Sequence, residues 1–156
     1  DEAVAASVSR VEIVPTVLIS AGEREKRAAR RIEAVPDRAG AYVIYVDDNA
    51  YPEGGVFWTR GTQEAEVLLA PGAFSRAAVT LHLGPHAGAV RLMVGDQSQT
   101  VAVEGNGTAE VQIDLPHDQR LVPIRIQSPT SFRPSEVNPA SDDARLLGCQ
   151  VRIGVE

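Results

Sequence analysis

The chain has 156 residues, 44% of them apolar and 23% charged, which suits one folded domain with one core and excludes a disordered chain. Its formal net charge of −6 argues against nucleic-acid binding, because a phosphate-backbone binder needs clustered cations. The single cysteine excludes an internal disulfide and a multi-Cys zinc site, and no apolar run approaches the roughly 20 residues that insert directly across a bilayer.

In chain order, the start at Asp1 carries neither an initiator Met nor a basic-then-apolar leader. The expectation is therefore one domain over residues 1–156 that is a piece of a longer or processed chain. Val11–Ile19 reads as a strand, with Pro15 at an edge or a bulge. Ala21–Ala34 is rich in Glu and Arg and reads as a charged loop with at most a helical turn, leading into a strand at Arg30–Val35. The run Ala41–Val46 is continuously apolar, as in a strand covered on both faces, and Val56–Thr59 and Glu64–Leu69 continue the sheet.

From there period-two alternation dominates. Val79, Leu81 and Leu83 alternate with Thr80 and His82; Val90, Leu92 and Val94 follow; then Val101 and Val103, Val111 and Ile113, and Val122, Ile124 and Ile126. Such alternation puts one row of side chains in a core and the other in water. Gly95-Asp96 and Gly105-Asn106-Gly107 each read as a hairpin turn. Ser128–Ala144, with three prolines, is a long loop, and Leu146–Val155 is a closing strand. The fold expected is all-β: an antiparallel two-sheet β-sandwich, jelly-roll-like, of about nine to eleven strands.

Candidate chemistry is thin. His82 and His86 are four apart, but Gly84-Pro85 forbids the helix that would give them a common face. Asp47, Asp48 and Asn49 supply oxygens of the kind a hard cation such as Ca²⁺ takes, and equally suit an ordinary turn; no other cofactor is expected. Asp47 and Glu53 could be drawn as a glycosidase carboxylate pair. Cys149 lies on the apolar side of its strand, as a buried hydrophobe does. No nucleophile elbow, phosphate loop or zinc-protease motif is present, so an enzyme is not expected. Trp58 and Tyr51, with Arg60 close by, are the residues best suited to stack on and grip a sugar ring, although a lone Trp also anchors cores. Arg133 and Arg145 flank Glu136, Asp142 and Asp143, so guanidinium forks are expected to pin the long loop to itself through Arg133, Glu136, Asp142 and Arg145.

The segments Gly55-Val56-Phe57-Trp58-Thr59-Arg60-Gly61, Leu121–Ile126, Ser131–Pro139, Asp142 and Arg145–Val151 together resemble the carboxy-terminal β-sandwich module of bacterial membrane glycosyltransferases of the dolichyl-phosphate-mannose-protein mannosyltransferase type and of related envelope proteins. The likeness covers roughly Ala41 to the end and carries no catalytic residues with it. It implies an extracytoplasmic, non-catalytic accessory module, with a glycan or a neighbouring membrane or envelope protein as partner. Two other expectations stand beside it: a structural domain that self-associates through its sheet edges, and a glycoside-hydrolase-like enzyme using the Asp47–Glu53 loop.

Overall fold

A computed structural model describes residues 31–36 and 38–156. The strand expected at Val11–Ile19 and the charged stretch before Arg31 lie outside the described residues. Eleven strands follow in order: β1 (Ile32–Ala34), β2 (Tyr42–Tyr45), β3 (Ala50–Pro52), β4 (Phe57–Arg60), β5 (Glu64–Ala70), β6 (Arg76–Leu83), β7 (Gly88–Val94), β8 (Gln97–Val103), β9 (Thr108–Asp114), β10 (Val122–Gln127) and β11 (Leu147–Val155). Among the described residues one helical turn, α1, spans Pro134–Val137. The strands make a six-stranded sheet in the order β1-β2-β5-β10-β7-β8 and a five-stranded sheet in the order β3-β4-β11-β6-β9, antiparallel throughout. The chain is an all-β two-sheet sandwich.

Alternation explains the packing. Along β6 and β10 every second residue is buried, and these rows interleave between the sheets. Val67, Leu69, Ile124, Ile126, Val90 and Leu92 from the larger sheet meet Phe57, Val79, Leu81, Val151 and Ile153 from the smaller. Each such side chain contributes about 1.5–3 kcal/mol by leaving water. Glu33 helps close one flank of the sandwich. It pairs with Arg31 at 2.6 Å and accepts from Tyr45 Oη at 3.2 Å and Gly55 N at 3.3 Å, joining the edge of the larger sheet to the β3–β4 turn of the smaller.

Three expectations need correcting. The run Ala41–Val46 is not covered on both faces: in β2, Val43 and Tyr45 point into the core while Tyr42, on the outer face of that sheet, is 44% exposed, as the alternation of side chains along a strand dictates. Val56–Thr59 and Glu64–Leu69 do not continue one sheet; β4 belongs to the smaller and β5 to the larger. Gly105-Asn106-Gly107 does turn the chain, with Gly107 N donating to Glu104 O at 2.9 Å and Asn106 at φ 56°, yet it does not close a hairpin. β8 pairs with β7 and β9 with β6, so the turn carries the chain from one sheet to the other. Asn106 N donates to Gly84 O and Leu83 N to Gly107 O, anchoring the crossing to the end of β6. The Gly95-Asp96 hairpin is as expected, with Val94 opposite Gln97 and Gly95 at φ 54°, the glycine slot of a tight hairpin turn.

One irregularity positions what lies outside the smaller sheet. Between β11 and β4 the register shifts: Leu147 is opposite Arg60, but Gln150 is opposite Trp58. Three steps on one strand match two on the other, which is a β-bulge. Thr59, fully buried, holds it by donating from Oγ1 to Gly61 O at 3.3 Å and accepting from Cys149 N at 2.9 Å. Gly148 lies inside this knot, where a Cβ would overlap the Gly61 carbonyl oxygen and Thr59 Oγ1. Backbone oxygen cannot step aside, so Gly148→Ala is expected to destabilise the domain by about 2–4 kcal/mol. Urea unfolding followed by tryptophan fluorescence would measure it; an unchanged midpoint would show that the bulge is not tightly packed.

Candidate functional site

The smaller sheet turns one face to the core and the other outward. Its register lines up Tyr51, Trp58, Gln150, His82 and Thr108 in one outward row, one residue from each of the five strands. With neighbouring strands about 4.8 Å apart, the row is about 19 Å long. The adjacent outward row holds Arg152, Thr80 and Glu110. A shallow groove of about 300 Å³ opens along these rows, lined by Val56, Thr80, His82, Thr108, Gln150 and Arg152.

His82 is oriented within the groove by its backbone neighbour. Its Nδ1 is 2.8 Å from Gly107 O; a carbonyl can only accept, so Nδ1 carries the hydrogen and Nε2 is the nitrogen left for another partner. Trp58 stands at the end of the groove in an edge-to-face cluster, its ring centroid 6.1 Å from His82 and 5.6 Å from Phe132. Phe132 reaches that place from the long loop because its backbone pairs with Leu147, N to O at 2.9 Å in both directions. Its ring also lies where any Cβ on residue 84 would stand, and residue 84 is glycine.

Tyr51 is capped by a charge network. The Arg145 guanidinium is 5.3 Å from the Tyr51 ring centroid, a cation–π distance. That guanidinium binds Asp143 through Nε at 2.9 Å and Nη2 at 2.6 Å, and Glu53 through Nη2 at 2.6 Å. Hydrogen bonds from the Arg145 side chain and backbone hold the Asp143 carboxyl down to about 2; those from Asp143 and Glu53 raise the Arg145 pKa in turn. The pinning expected of the loop is thus altered in two respects. Asp143 rather than Asp142 supplies the carboxylate, Asp142 being exposed and without an ion pair among the described residues. Arg145 also ties the loop to Glu53, in the turn after β3, and not only to itself. Arg133 stays within the loop, with Glu136 at 3.7 Å and the Ala144 carbonyl as an Nη1 acceptor.

Of the three residues proposed from sequence to touch a sugar, Tyr51 and Trp58 share the outward row, and Arg60 is exposed at the end of β4. None of the three lines the groove itself. The groove residues Thr80, Gln150 and Arg152 carry no motif; their only sequence signal is an outward position in an alternating strand. At the other proposed site, Asp47 accepts from Asn49 N at 2.8 Å and Glu66 N at 2.9 Å, one amide on each oxygen, while Asn49 Nδ2 donates to Glu64 O at 2.9 Å. These contacts fix a turn against β5, with Asp48 exposed beside it. Among the described residues no three His, Cys, Asp or Glu side chains gather as a metal would need. Asp47 and Glu53, drawn as a carboxylate pair, are each engaged in this structural bonding. Cys149 is fully buried, and burial pushes its thiol up to about 12, which keeps it protonated and unreactive.

No family model and no curated protein matches the chain. Similar solved structures include the secreted serine protease VesC from Vibrio cholerae, at 13% identity and TM-score 0.44, covering 80% of this chain and 28% of that one. A Podospora anserina GH26-CBM35 β-(1,4)-mannanase is 10% identical at TM-score 0.40, covering 83% of this chain and 28% of that one. A CBM4 structure is 10% identical at TM-score 0.38, covering 81% and 78%. The chain spans under a third of the length of the first two.

Because Asp143 is held below its ordinary 3.8, its bond to Arg145 stabilises the loop above that pH and is lost as pH falls through about 2. A carbon-detected NMR titration should place the Asp143 midpoint near the lower value, and Arg145→Met should return it to the upper. Arg145→Ala is expected to lower Tm by about 2–4 °C and Arg133→Ala by less, since exposed pairs are weak individually and gain from a network. An unchanged melting curve for Arg145→Ala would show that the network does not hold the loop.

Proposed function

We propose that this chain is a non-catalytic binding module that contacts a glycan across the outer face of its smaller sheet. The observation that supports this most is the groove of about 300 Å³ whose floor is built from outward side chains of adjacent strands. A saccharide presents hydroxyls that donate and accept, and ring faces that are apolar. The groove offers the Gln150 amide, the Thr80 and Thr108 hydroxyls and His82 Nε2 for the first, and Val56 with the neighbouring Trp58 for the second. Gln150, Thr80, Thr108, His82 and Trp58 stand on strands, which hold them more rigidly than loops would. The carboxylates that a hydrolase would use at the Asp47–Glu53 loop are occupied by backbone amides and by Arg145, which favours binding over catalysis. Neither a metal nor an organic cofactor enters this reading. Its wider setting, an extracytoplasmic module attached to or beside a membrane glycosyltransferase, belongs to the same proposal and rests on the sequence resemblance.

A second reading, self-association, is favoured by one strand. β8 forms an edge of the larger sheet, has no charged residue over Gln97–Val103, and is exposed from Gln97 to Thr100. Edges of natural sheets usually carry a charge or a proline that discourages pairing. Because Val94 and Gln97 flank a two-residue turn, they form a bonded pair, so Ser98, Thr100 and Ala102 point their backbone groups away from β7.

A glycan array with the wild-type domain tests the first reading. Binding should be lost or fall at least tenfold in Gln150→Ala and Trp58→Ala variants whose circular dichroism is unchanged; absence of any wild-type binding would end it. For the second reading, light scattering across a concentration series should show a dimer that Thr100→Pro abolishes. A monomer at every concentration would dismiss it.

A further inference from the structure

We infer that the groove selects an acidic saccharide, with a carboxylate of the sugar held by Arg152. The inference rests on the glycan-binding reading above and adds the charge of the ligand. The chain holds 21 acidic residues against 15 basic ones, yet none of the six residues that line the groove is Asp or Glu. What lines it instead is a guanidinium, an imidazole, an amide, two hydroxyls and one valine: a surface dominated by hydrogen-bond donors.

Arg152 is the one arginine that lines the groove. Arg31, Arg76, Arg125, Arg133 and Arg145 each stand within ion-pair distance of a carboxylate. Arg152 has no such partner among the described residues. Arg38, which donates to the Val155 carbonyl, and Arg60, Arg91 and Arg120 share that state but lie outside the groove. The nearest acid in its row is Glu110, which the register places two strands away across Thr80, about 10 Å by strand spacing. Gln112 Nε2 donates to Glu110 at 3.2 Å, and neither residue lines the groove. An arginine fork with free donors is the side chain best matched to a planar carboxylate.

His82 adds to the same end. Gly107 takes its Nδ1 hydrogen, so the ring's Nε2 faces a ligand as an acceptor for a sugar hydroxyl when neutral and as a second cation when protonated. The other groups facing His82 are Trp58 on β4, Gln150 and Arg152 on β11 and Thr108 on β9, and none of these is anionic.

Isothermal titration of the whole domain with galacturonan, glucuronan and mannuronan trisaccharides, each beside its carboxyl-reduced neutral counterpart, tests this. At least one acidic trisaccharide should bind tenfold or more tightly than its reduced form, the worth of one charge-assisted contact. Added sodium chloride should weaken the acidic ligand and spare the neutral one. Arg152→Gln should bring the acidic ligand down to the affinity of the neutral one, and Arg152→Lys should retain part of the preference. Since Arg152 is exposed, both variants should keep the wild-type melting curve. If the neutral forms bind as well as the acidic ones, the charge inference falls and the glycan reading survives. If acidic binding persists in Arg152→Gln, the assignment to Arg152 falls. If no trisaccharide of either kind binds while the array also stays blank, the glycan reading itself falls, and the inference with it.

Discussion

The buried hydroxyl of Thr59 governs the outer face of the smaller sheet. It bonds across two strands at the point where β11 has one residue more than β4. Because side chains alternate from face to face, a strand displaced by one residue turns its whole outward row inward. The bulge absorbs that extra residue between Leu147 and Gln150. Beyond it, Cys149, Val151, Ile153 and Val155 enter the core, and Gln150 and Arg152 face outward. Thr59 and Gly148 therefore act on the groove without lining it: they set which side chains of β11 can reach it.

The long loop depends on the same knot. Phe132 pairs with Leu147 immediately before the bulge, and its ring packs on Gly84 and against Trp58. Leu147 is 2% exposed yet stands apart from the core between the sheets, as a residue sealed beneath the loop would be. Arg145 then fastens the loop to Glu53 and covers Tyr51. The aromatic pair that stands out in the sequence is thus largely committed to holding the loop against the sheet, and the open groove lies beside it over Gln150 and Arg152. In this arrangement Trp58 acts as an end wall rather than a bare stacking platform.

The chemistry of the surface follows from which charges are spent. Among the described residues five arginines are engaged with carboxylates, at strand ends, within β10 and in the loop, where ion pairs in water are individually weak and serve geometry more than stability. Arg152, in the groove, has no carboxylate partner among the described residues and stands on a strand. Such a group is what the proposed binding reading requires.

The sequence by itself determined the strands, their inward rows and several turns, because a period of two records which face each residue takes and Gly and Asn mark where backbone must bend. Val79, Leu81 and Leu83, or Ile124 and Ile126, could be placed in the core from their spacing alone. Partnership is not encoded in that period. The turn at Gly105-Asn106-Gly107 looks the same whether it closes a hairpin or carries the chain between sheets; only the pairing of β9 with β6 decided it. Arg145 finds Glu53 across a long separation in sequence, and the groove joins Val56, just before β4, to residues of β6, β9 and β11. Such meetings depend on register between distant strands, which is fixed by packing of the whole sandwich and by the bulge at Leu147–Gln150, which no local pattern announces.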